Sequence, residues 1–373
     1  MENSRRIHLS QVNQVFSRAI ERGLEEEDLT QGEVEALLSA RGRELSMLLM
    51  AADALRQKLV GDLVTYVINR NINFTNVCEC NCGFCGFARG PDNPDAFTLT
   101  MEEVRAKVRE ARDFGATEIC LQGGISPLIG LPYICDILGT IREEMPDVHI
   151  HALSPMEIEH AARLEGRPVR EVLEELVDAG LDSIPGTAAE ILVDRIRNVI
   201  CPRKLSSSRW EEIISLAHGL GIPTTSTMMY GTIDTVADRA YHLLKLREIQ
   251  DRTSGFTEFV PLPFVHGIAP ISRATAGGPT GADDLRVIAA ARLTLGTRIP
   301  NIQVSWVKMG EKLAQIGLTC GANDFGGTLM EENISSSAGA NYGSVIEPQA
   351  IRRIIRDLGR TPAQRNTLYD IIG

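Results

Sequence analysis

Three cysteines lie close together near the end of the first quarter of the chain. Cys78, Cys82 and Cys85 follow the spacing C-x3-C-x2-C. Cysteine thiolates hold iron–sulfur clusters, and a four-iron cluster normally takes four of them. Three thiolates would leave one iron without a protein ligand, so that a substrate or cofactor could bind there. The spacing therefore predicts a cluster that does chemistry at its open iron.

A structural zinc site is the main alternative reading of these cysteines. Zinc in such sites usually takes four Cys or His ligands, often as two separated pairs. Cys80 lies inside the run but breaks the spacing if it is used, and no histidine lies between His8 and His149. The remaining cysteines occur singly, at Cys120, Cys135, Cys201 and Cys320. Because no second pair exists, the sequence favours the cluster over zinc.

The pattern of apolar residues predicts the elements that must position this loop. Residues 1–60 form one segment, in which 8–60 are predicted to be helical, with Val12, Val15, Phe16 and Ile20 at helical spacing. From residue 61 to 373 short apolar runs alternate with amphipathic helices. Predicted strands are 64–74, 117–122, 148–153, 181–184, 223–229, 256–261 and 301–306, and predicted helices are 100–114, 131–145, 168–179, 188–199, 208–220 and 235–252. Alternating βα units predict the α/β class and a (β/α)8-type barrel, with an N-terminal helical extension and a C-terminal helical cap.

Active sites of such barrels gather at the carboxyl ends of the strands. Gln122, Gly123 and Gly124 follow the second predicted strand, and glycines permit a ligand to approach the backbone closely. Ser154 and Glu157 follow the third predicted strand. Glu190 and Arg197 follow the fourth, with Lys204 further on. The helix dipole favours a carboxylate near a helix start, so Glu190 would be stabilised there even without a functional role.

Further polar residues at predicted strand ends are candidates for binding a substrate. They are His151, Tyr230, Gln303, Ser305, Asn323 and Asp324. His149 and His151 are two residues apart, so a strand places both on one face, where they could equally be hydrogen-bonded core histidines. The glycine- and proline-containing segment 266–284 is the best candidate for a loop or lid over the site.

Composition narrows the class of protein. The chain has 373 residues and a formal net charge of −11, which argues against nucleic acid or a membrane surface as a partner. The sequence shows neither an apolar signal segment nor a run of 18 apolar residues. Eight cysteines without a secretory signal favour metal binding in a reducing compartment over disulfides. We therefore expect a cytoplasmic protein.

The cysteine run resembles the signature of the radical S-adenosylmethionine (radical SAM) enzymes. In that superfamily three cysteines hold a [4Fe–4S] cluster, and S-adenosylmethionine chelates the fourth iron and is cleaved to a 5′-deoxyadenosyl radical. The resemblance implies that Cys78, Cys82 and Cys85 are the metal ligands. It also implies a cofactor site made of Phe84, Gln122, Gly123, Gly124, Ser154, Glu157, Glu190 and Arg197.

Several motifs together are similar to those of one family within that superfamily, the CofH family. They are NINFTNVC (71–78), HIHALSPM (149–156), PGTAAEIL (185–192), TTSTMMYG (224–231), FTEFVPLPF (256–264), NIQVSWVK (301–308) and GANDFGGTLM (321–330). The resemblance implies transfer of the 4-hydroxybenzyl group of L-tyrosine to 5-amino-6-(D-ribitylamino)uracil in deazaflavin biosynthesis. It further implies CofG as a functional partner and an electron donor. The family usually has histidine and glutamate after TTSTMMYG, where this chain has Thr232 and Asp234.

Four alternatives remain open on the sequence alone. Related menaquinone-pathway enzymes act on futalosine derivatives and share the cysteine loop and much of the barrel. A divergent paralogue could use another acceptor than the diaminouracil. A ferredoxin-like carrier would need a fourth cysteine ligand and would hardly need so large a barrel. Finally, a paralogue could bind S-adenosylmethionine or tyrosine without turning it over.

Overall fold

The structure is a computed structural model that describes residues 13–275 and 277–372. The predicted helical residues before residue 13, including Val12, lie outside the described residues, and so does Ala276 of the predicted lid. Three helices precede the first strand: α1 (Gln14–Leu24), α2 (Gln31–Ser39) and α3 (Arg43–Val60). Thr30 and Glu33 form a capping box at the start of α2, in which each side chain accepts a hydrogen bond from the other residue's backbone N–H.

Strands and helices then alternate along most of the chain. The strands are β1 (Leu63–Val67), β2 (Asn69–Asn73), β3 (Glu118–Gln122), β4 (His149–Ala152), β5 (Thr224–Tyr230), β6 (Phe256–Pro263), β7 (Asp324–Gly327) and β8 (Thr361–Gln364). The helices are α4 (Met101–Phe114), α5 (Leu131–Glu144), α6 (Pro155–Glu165), α7 (Val169–Asp178), α8 (Asp194–Ile200), α9 (Ser207–Gly219), α10 (Val236–Thr253), α11 (Gly281–Leu295), α12 (Trp306–Met309), α13 (Glu311–Gly317), α14 (Asn333–Ser337) and α15 (Pro348–Asp357). A 3-10 helix covers Pro270–Ala274. The N-terminal helices α2 and α3 pack on the outside of the barrel, against α10 and α11.

The strands close into a barrel through parallel pairs. β2 pairs with β3, β3 with β4, β5 with β6, and β7 with β1. Single bridges complete the ring where no regular strand forms: Ser183 to His151, Ile184 to Thr224, Ile302 to Phe259 and Gln303 to Asp324. With β1 and β2 counted as one position, the ring has eight positions. The predicted (β/α)8-type barrel is therefore confirmed.

Three predicted strands differ from the observed ones, and local chemistry explains why. The run 64–74 is two strands, because β1 pairs with β7 whereas β2 pairs with β3, and the register shifts between Thr65 and Val67. The run 181–184 ends in single bridges because Pro185, which follows it, has no N–H to donate. The run 301–306 is equally short, because the chain already turns into α12 at Trp306.

The C-terminal end is not the purely helical cap that the sequence predicts. After α15 the chain forms β8, which pairs in parallel with β1 from Leu63 to Tyr66. The residues after β8 lie against the amino ends of the other strands, where Thr367 donates a hydrogen bond to Glu118, the first residue of β3. A short strand escaped prediction because Thr361–Gln364 shows no apolar alternation. The C-terminal tail thus closes the amino end of the barrel.

Across residues 13–275 and 277–372, none of the helices combines the length and apolar character that crossing a bilayer requires.

Candidate functional site

The three cysteines lie in a loop that follows β2 at the carboxyl end of the barrel. Backbone hydrogen bonds tie this loop to its neighbours: Cys78 N–H donates to the Arg89 carbonyl (3.0 Å) and Gly83 N–H to the Ile200 carbonyl (2.8 Å). The Arg89 guanidinium donates to three successive carbonyls of the same loop, those of Gly86, Phe87 and Ala88. This irregular segment is thereby fixed by its own backbone and by the last residue of α8.

A cavity of about 200 Å³ opens beside this loop. Its walls bring together the three predicted metal ligands and all the predicted cofactor-binding residues except Arg197. They include Cys78, Cys82, Phe84, Cys85, Gln122, Gly123, Gly124, Ser154, Glu157, Thr187, Glu190 and Lys204. We call this space the cofactor cavity. Residues from four separate loops after β2, β3, β4 and Ile184 thus meet at one place.

The cysteine geometry is compatible with a polynuclear cluster. Among the described residues, no three Cys, His, Asp or Glu side chains converge closely enough to hold one metal ion. A four-iron cluster does not need such convergence, because each thiolate binds a different iron. Burial raises the pKa of the Cys82 thiol to about 12, with the nearby Lys204 ammonium opposing the shift. A buried thiol of this kind is ionised by the cation that it binds.

The glycine pair lets the chain pass very close to the cysteine loop. A Cβ on Gly124 would lie 2.2 Å from the carbonyl oxygen of Val77 and 3.0 Å from Cβ of Cys78. Gly124 N–H donates to the Thr75 carbonyl (2.8 Å), and Gly123 N–H donates to Oε1 of Glu157 (2.8 Å). Both N–H groups are used within the protein, so a ligand here would meet carbonyl oxygens. Any side chain at Gly124 would displace the first cysteine.

Glu157 joins the glycine pair to the start of α6. Its carboxylate accepts from Gly123 N–H and, through Oε2, from Ser154 N–H (2.6 Å), while Ser154 Oγ accepts from Glu157 N–H (3.3 Å). This is a capping box with one extra partner. Burial raises the pKa of Glu157, and the hydrogen bonds oppose that shift. The geometry makes Glu157 a positioning residue for the backbone that lines the cavity.

Glu190 lies in a strained loop on the opposite wall. Ala188 and Glu190 have φ angles of 60° and 44°, a region that side chains other than glycine rarely adopt. Arg197 is buried behind this loop and donates to the carbonyls of Ala188, Ala189 and Leu205. Its guanidinium therefore holds the loop and does not line the cavity, unlike the direct contact that the sequence predicted.

Lys204 is the cation that faces the cofactor cavity. Its Nζ lies 2.6 Å from Oε1 of Glu190 and 5.4 Å from the centre of the Phe84 ring. A carboxylate partner, together with the nearby cysteines, holds the pKa of Lys204 well above its usual range even though burial opposes this. The sequence offers both Lys204 and Arg197 as cations near this loop. The fold places the lysine in the cavity wall and the arginine behind it.

A second cavity, of about 140 Å³, adjoins the first. The two share Phe84, Cys85, Glu190 and Ile334. Apart from these, the second cavity is lined mainly by apolar residues at the ends of β5 and β6 and by one lysine: Met229, Leu262, Pro263, Phe264, Val265, Ala338 and Lys308. We call it the substrate cavity. It is a mostly apolar space, adjacent to the cluster loop, with one cationic group.

The six residues predicted to bind substrate line neither cavity. Tyr230 donates to Asp284 of α11 (2.7 Å), outside the barrel wall. Asn323 accepts from Arg292 (2.8 Å), and Ser305 is buried at the start of α12. Predicted strand ends were too coarse a guide, because neighbouring residues of one strand point to opposite sides of the wall.

The other three predicted substrate residues take part in buried polar contacts around the barrel strands. His151 exchanges a hydrogen bond with Ser183 (2.7 Å), and burial lowers its pKa to about 4. Gln303 donates to Glu258 (3.2 Å). Asp324 accepts from Arg365 Nε (2.5 Å). Arg365 belongs to the C-terminal tail, and Tyr369 of the same tail donates to Glu258. The contacts of Asp324 and Gln303 therefore belong to the network that closes the amino end.

Sequence reasoning missed polar residues on β2. Asn69 donates to Glu118 (2.8 Å), and alternate residues of a strand share a face, so Asn71 and Asn73 lie on the same side. The Oδ1 atoms of Asn71 and Asn73 are buried and have no hydrogen-bond partner within the described chain. The signal in the sequence was the alternation of asparagine at 69, 71 and 73 within a strand.

Two other predicted features have local roles. In the 266–284 segment, Ile271 N–H donates to the carbonyl of Gly83, so the 3-10 helix rests on the cysteine loop. In the turn after β5, the Asp234 carboxylate accepts from the N–H groups of Gly231 and Thr232 and pairs with Arg239 at 2.6 Å. Asp234 and Thr232 therefore shape a turn outside the two cavities.

Comparison with known proteins points in one direction. The radical SAM superfamily model matches residues 72–246, and that of the CofH/MqnC C-terminal region matches residues 253–372. The 5-amino-6-(D-ribitylamino)uracil--L-tyrosine 4-hydroxyphenyl transferase of Methanopyrus kandleri is 56% identical over 86% of this chain and 87% of its own length. The corresponding transferase of Methanothermobacter thermautotrophicus is 51% identical over 92% and 94%.

Solved structures support the fold. Methylornithine synthase (PylB) is similar with a TM-score of 0.73 at 16% identity, covering 92% of this chain and 97% of its own. The FeFe-hydrogenase maturase HydG from Carboxydothermus hydrogenoformans has a TM-score of 0.73 at 16% identity, covering 95% and 80%. At such identities these neighbours bear on the barrel architecture alone.

Proposed function

Since the chain belongs to the CofH family of the radical SAM superfamily, we propose that it transfers the 4-hydroxybenzyl group of L-tyrosine to 5-amino-6-(D-ribitylamino)uracil. Its cofactors are a [4Fe–4S] cluster and S-adenosylmethionine. The observation that carries the proposal is the meeting of Cys78, Cys82 and Cys85 with the Gly123–Gly124 pair around one cavity. Relatives that cover most of the chain, at about half identity or more, carry the name of this transferase.

Each wall of the cofactor cavity has a part in this reaction. The three cysteines would hold the cluster, and the cluster and S-adenosylmethionine supply the one-electron chemistry that starts the reaction. Gly124 lets the backbone approach the cluster, and Glu157 fixes that backbone through Gly123. Lys204 and Glu190 would meet the charged end of the cofactor, a role that their position in the cavity wall supports.

The substrate cavity suits the aromatic amino acid. Met229, Leu262 and Phe264 offer apolar surface to a phenol ring. The wall shared with the cofactor cavity, including Glu190, brings a bound amino acid beside the cofactor. The amide oxygens of Asn71 and Asn73 lie on β2, outside the lining of both cavities, and have no partner within the described chain. In this proposal they would accept hydrogen bonds from the N–H groups of the diaminouracil, because a buried acceptor without a partner is costly.

Two further proteins belong to the proposal. A reduced electron donor must supply the electron that the cluster passes on. A partner radical SAM enzyme, CofG, would close the deazaflavin ring of the product.

Anaerobic turnover tests the proposed function. Reconstituted protein with a strong reductant, S-adenosylmethionine, tyrosine and the diaminouracil should form the coupled product, read by mass spectrometry. Phenylalanine should not replace tyrosine, because the phenol oxygen stabilises the benzyl radical that the proposed transfer requires. Product from a futalosine derivative, with none from tyrosine and the diaminouracil, would contradict the proposal and favour the menaquinone branch. Formation of 5′-deoxyadenosine separates an enzyme from a binding paralogue.

A further inference from the structure

The substrate cavity contains a lysine whose charge has no carboxylate partner. Lys308 lies on α12, and its Nζ donates to Oγ of Ser335 at 3.0 Å. Among the described residues, no Asp or Glu oxygen lies within 4.0 Å of that nitrogen, the limit for an ion pair. The side chain is partly buried and lines a cavity whose other walls are mostly apolar. Within residues 13–275 and 277–372, the one direct partner of its ammonium group is thus a neutral hydroxyl.

The carboxylates that face Lys308 are already engaged elsewhere. Glu332 accepts from the N–H of Ser335 through both oxygens, at 3.0 Å each, and Glu190 pairs with Lys204 at 2.6 Å. Burial lowers the pKa of Lys308, and the more distant charges of Glu332, Glu190 and Cys85 oppose that shift. A cation that is partly withdrawn from water and has no close counter-ion loses hydration, and an anionic ligand would offset that cost.

We propose that Lys308 binds the carboxylate of the amino acid substrate. This inference rests on the proposed function and names the residue that orients tyrosine. The carboxylate is the one full negative charge of tyrosine near neutral pH, since the phenol titrates only near pH 10. The diaminouracil has no carboxylate for Lys308 to bind. Lys204 differs from Lys308, because Glu190 already pairs its charge.

The position of Lys308 also places the reacting part of the substrate. Glu190 and Cys85 line both cavities, and both contribute to the electrostatic field at Lys308. A carboxylate held by Lys308 would lie in the same cavity as the shared wall of Glu190 and Cys85, with the amino group one carbon away from it. The ring then extends toward Met229, Leu262 and Phe264. Lys308 would act both on affinity and on orientation.

Ligand discrimination provides the test. Binding of tyrosine and of tyrosinamide, in which the carboxylate is replaced by a neutral amide, is measured by anaerobic equilibrium dialysis on protein loaded with cluster and S-adenosylmethionine. Wild type should prefer tyrosine by about 10–100-fold, the range of a desolvated charge pair. Lys308→Met should lose that preference through weaker tyrosine binding, while it still binds tyrosinamide. Lys308→Arg should retain a preference for tyrosine over tyrosinamide.

The control variant is Lys312→Met, the same substitution at an exposed lysine on α13. It should discriminate as wild type does. A Lys308→Met protein that still prefers tyrosine over tyrosinamide as strongly as wild type would overturn the assignment, while wild-type turnover of tyrosine would leave the proposed function standing. If wild type neither binds nor turns over tyrosine, both fail together. Retained tyrosinamide binding shows that Lys308→Met is folded.

Discussion

The two ends of the barrel differ in whether their polar side chains have hydrogen-bond partners within the protein. At the amino end the C-terminal tail supplies a partner for each buried acid that it meets: Arg365 for Asp324, Thr367 for Glu118 and Tyr369 for Glu258. Toward the carboxyl end, Lys308 has one hydroxyl partner. The amide oxygens of Asn71 and Asn73, along β2, have none within the described chain. A buried polar group without a partner costs stability, so such groups near the cysteine loop are candidates for contact with a ligand.

The backbone shows the same contrast. In the described part of the chain, nine residues other than glycine have φ angles in the left-handed region, and six of them follow strands at the carboxyl end. Those six are Asn81, Leu153, Ala188, Glu190, Leu329 and Glu331. Each such residue costs of order 1–3 kcal/mol and persists only where its surroundings hold it. Arg197, which fixes the carbonyls around Ala188, is one such restraint. Strain thus accumulates where loops must present side chains to a ligand, and the other end contributes stability.

A cysteine removed at each end should produce the largest difference between them. Cys82→Ala removes a ligand of the cluster, so we expect loss of the iron–sulfur absorbance and of all S-adenosylmethionine cleavage. Cys320 is a buried cysteine just before β7, at the amino end, and Cys320→Ala should keep both. Absorbance spectra and 5′-deoxyadenosine assays of reconstituted protein measure this. A cluster that survives Cys82→Ala would refute the ligand assignment.

Removal of the tail's arginine should affect stability and leave the cluster ligands intact. Asp324 accepts from Arg365 at 2.5 and 3.2 Å, and both side chains are almost completely buried. Arg365→Met leaves a buried carboxylate without its counter-ion, for which we expect a loss of about 3–5 kcal/mol in the free energy of unfolding. Chemical denaturation measures it.

The matched control is Arg109→Met, which removes an ion pair with Glu144 from an arginine that is 48% exposed. Exposed pairs contribute about 0–1 kcal/mol, so this variant should unfold nearly as wild type does. Equal stability of the two variants would contradict the view that the tail's buried ion pair stabilises the amino end.

The sequence predicted the barrel, and most of the residues that it singled out near the cysteine run meet at one cavity, for physical reasons. Cysteine spacing, a glycine pair and a capping box are local patterns, and Cys78, Gly124 and Glu157 therefore lay where adjacent loops must meet. The substrate residues were harder to predict. Whether Tyr230 or Met229 faces the interior depends on the register of β5, which pairs with β6 across a shift that no local pattern shows.

Long-range partners were also hidden from sequence reasoning. The pair of Asp324 and Arg365 and the pair of Glu258 and Tyr369 each join residues at least 40 positions apart. These pairs form because the tail folds back against the amino end of the barrel after β8. Thr361–Gln364 has too little apolar character for a strand to be predicted from the sequence. The sequence does not show at which end of the barrel a polar residue near a strand lies. Asp324 was therefore predicted to bind substrate, although it lies at the amino end.

The smallest expected effect concerns the pH dependence of stability at the amino end. Burial raises the pKa of Glu258 to about 7, against about 4.3 for an unfolded glutamate, with Arg365 opposing the shift. Between these values the folded state holds a proton that the unfolded state has lost, so this group makes stability fall as pH rises from about 4.5 to 7. The lowered pKa of His151 acts in the opposite direction but is present in both proteins to be compared. Glu258→Gln cannot lose that proton, and its stability relative to wild type should therefore rise across this window, by on the order of 1–2 kcal/mol.

Thermal unfolding of cluster-loaded protein at several pH values measures the difference, and the same change at exposed Glu102 should give a constant offset. Parallel curves for wild type and Glu258→Gln would mean that the polar network closing the amino end already holds Glu258 ionised.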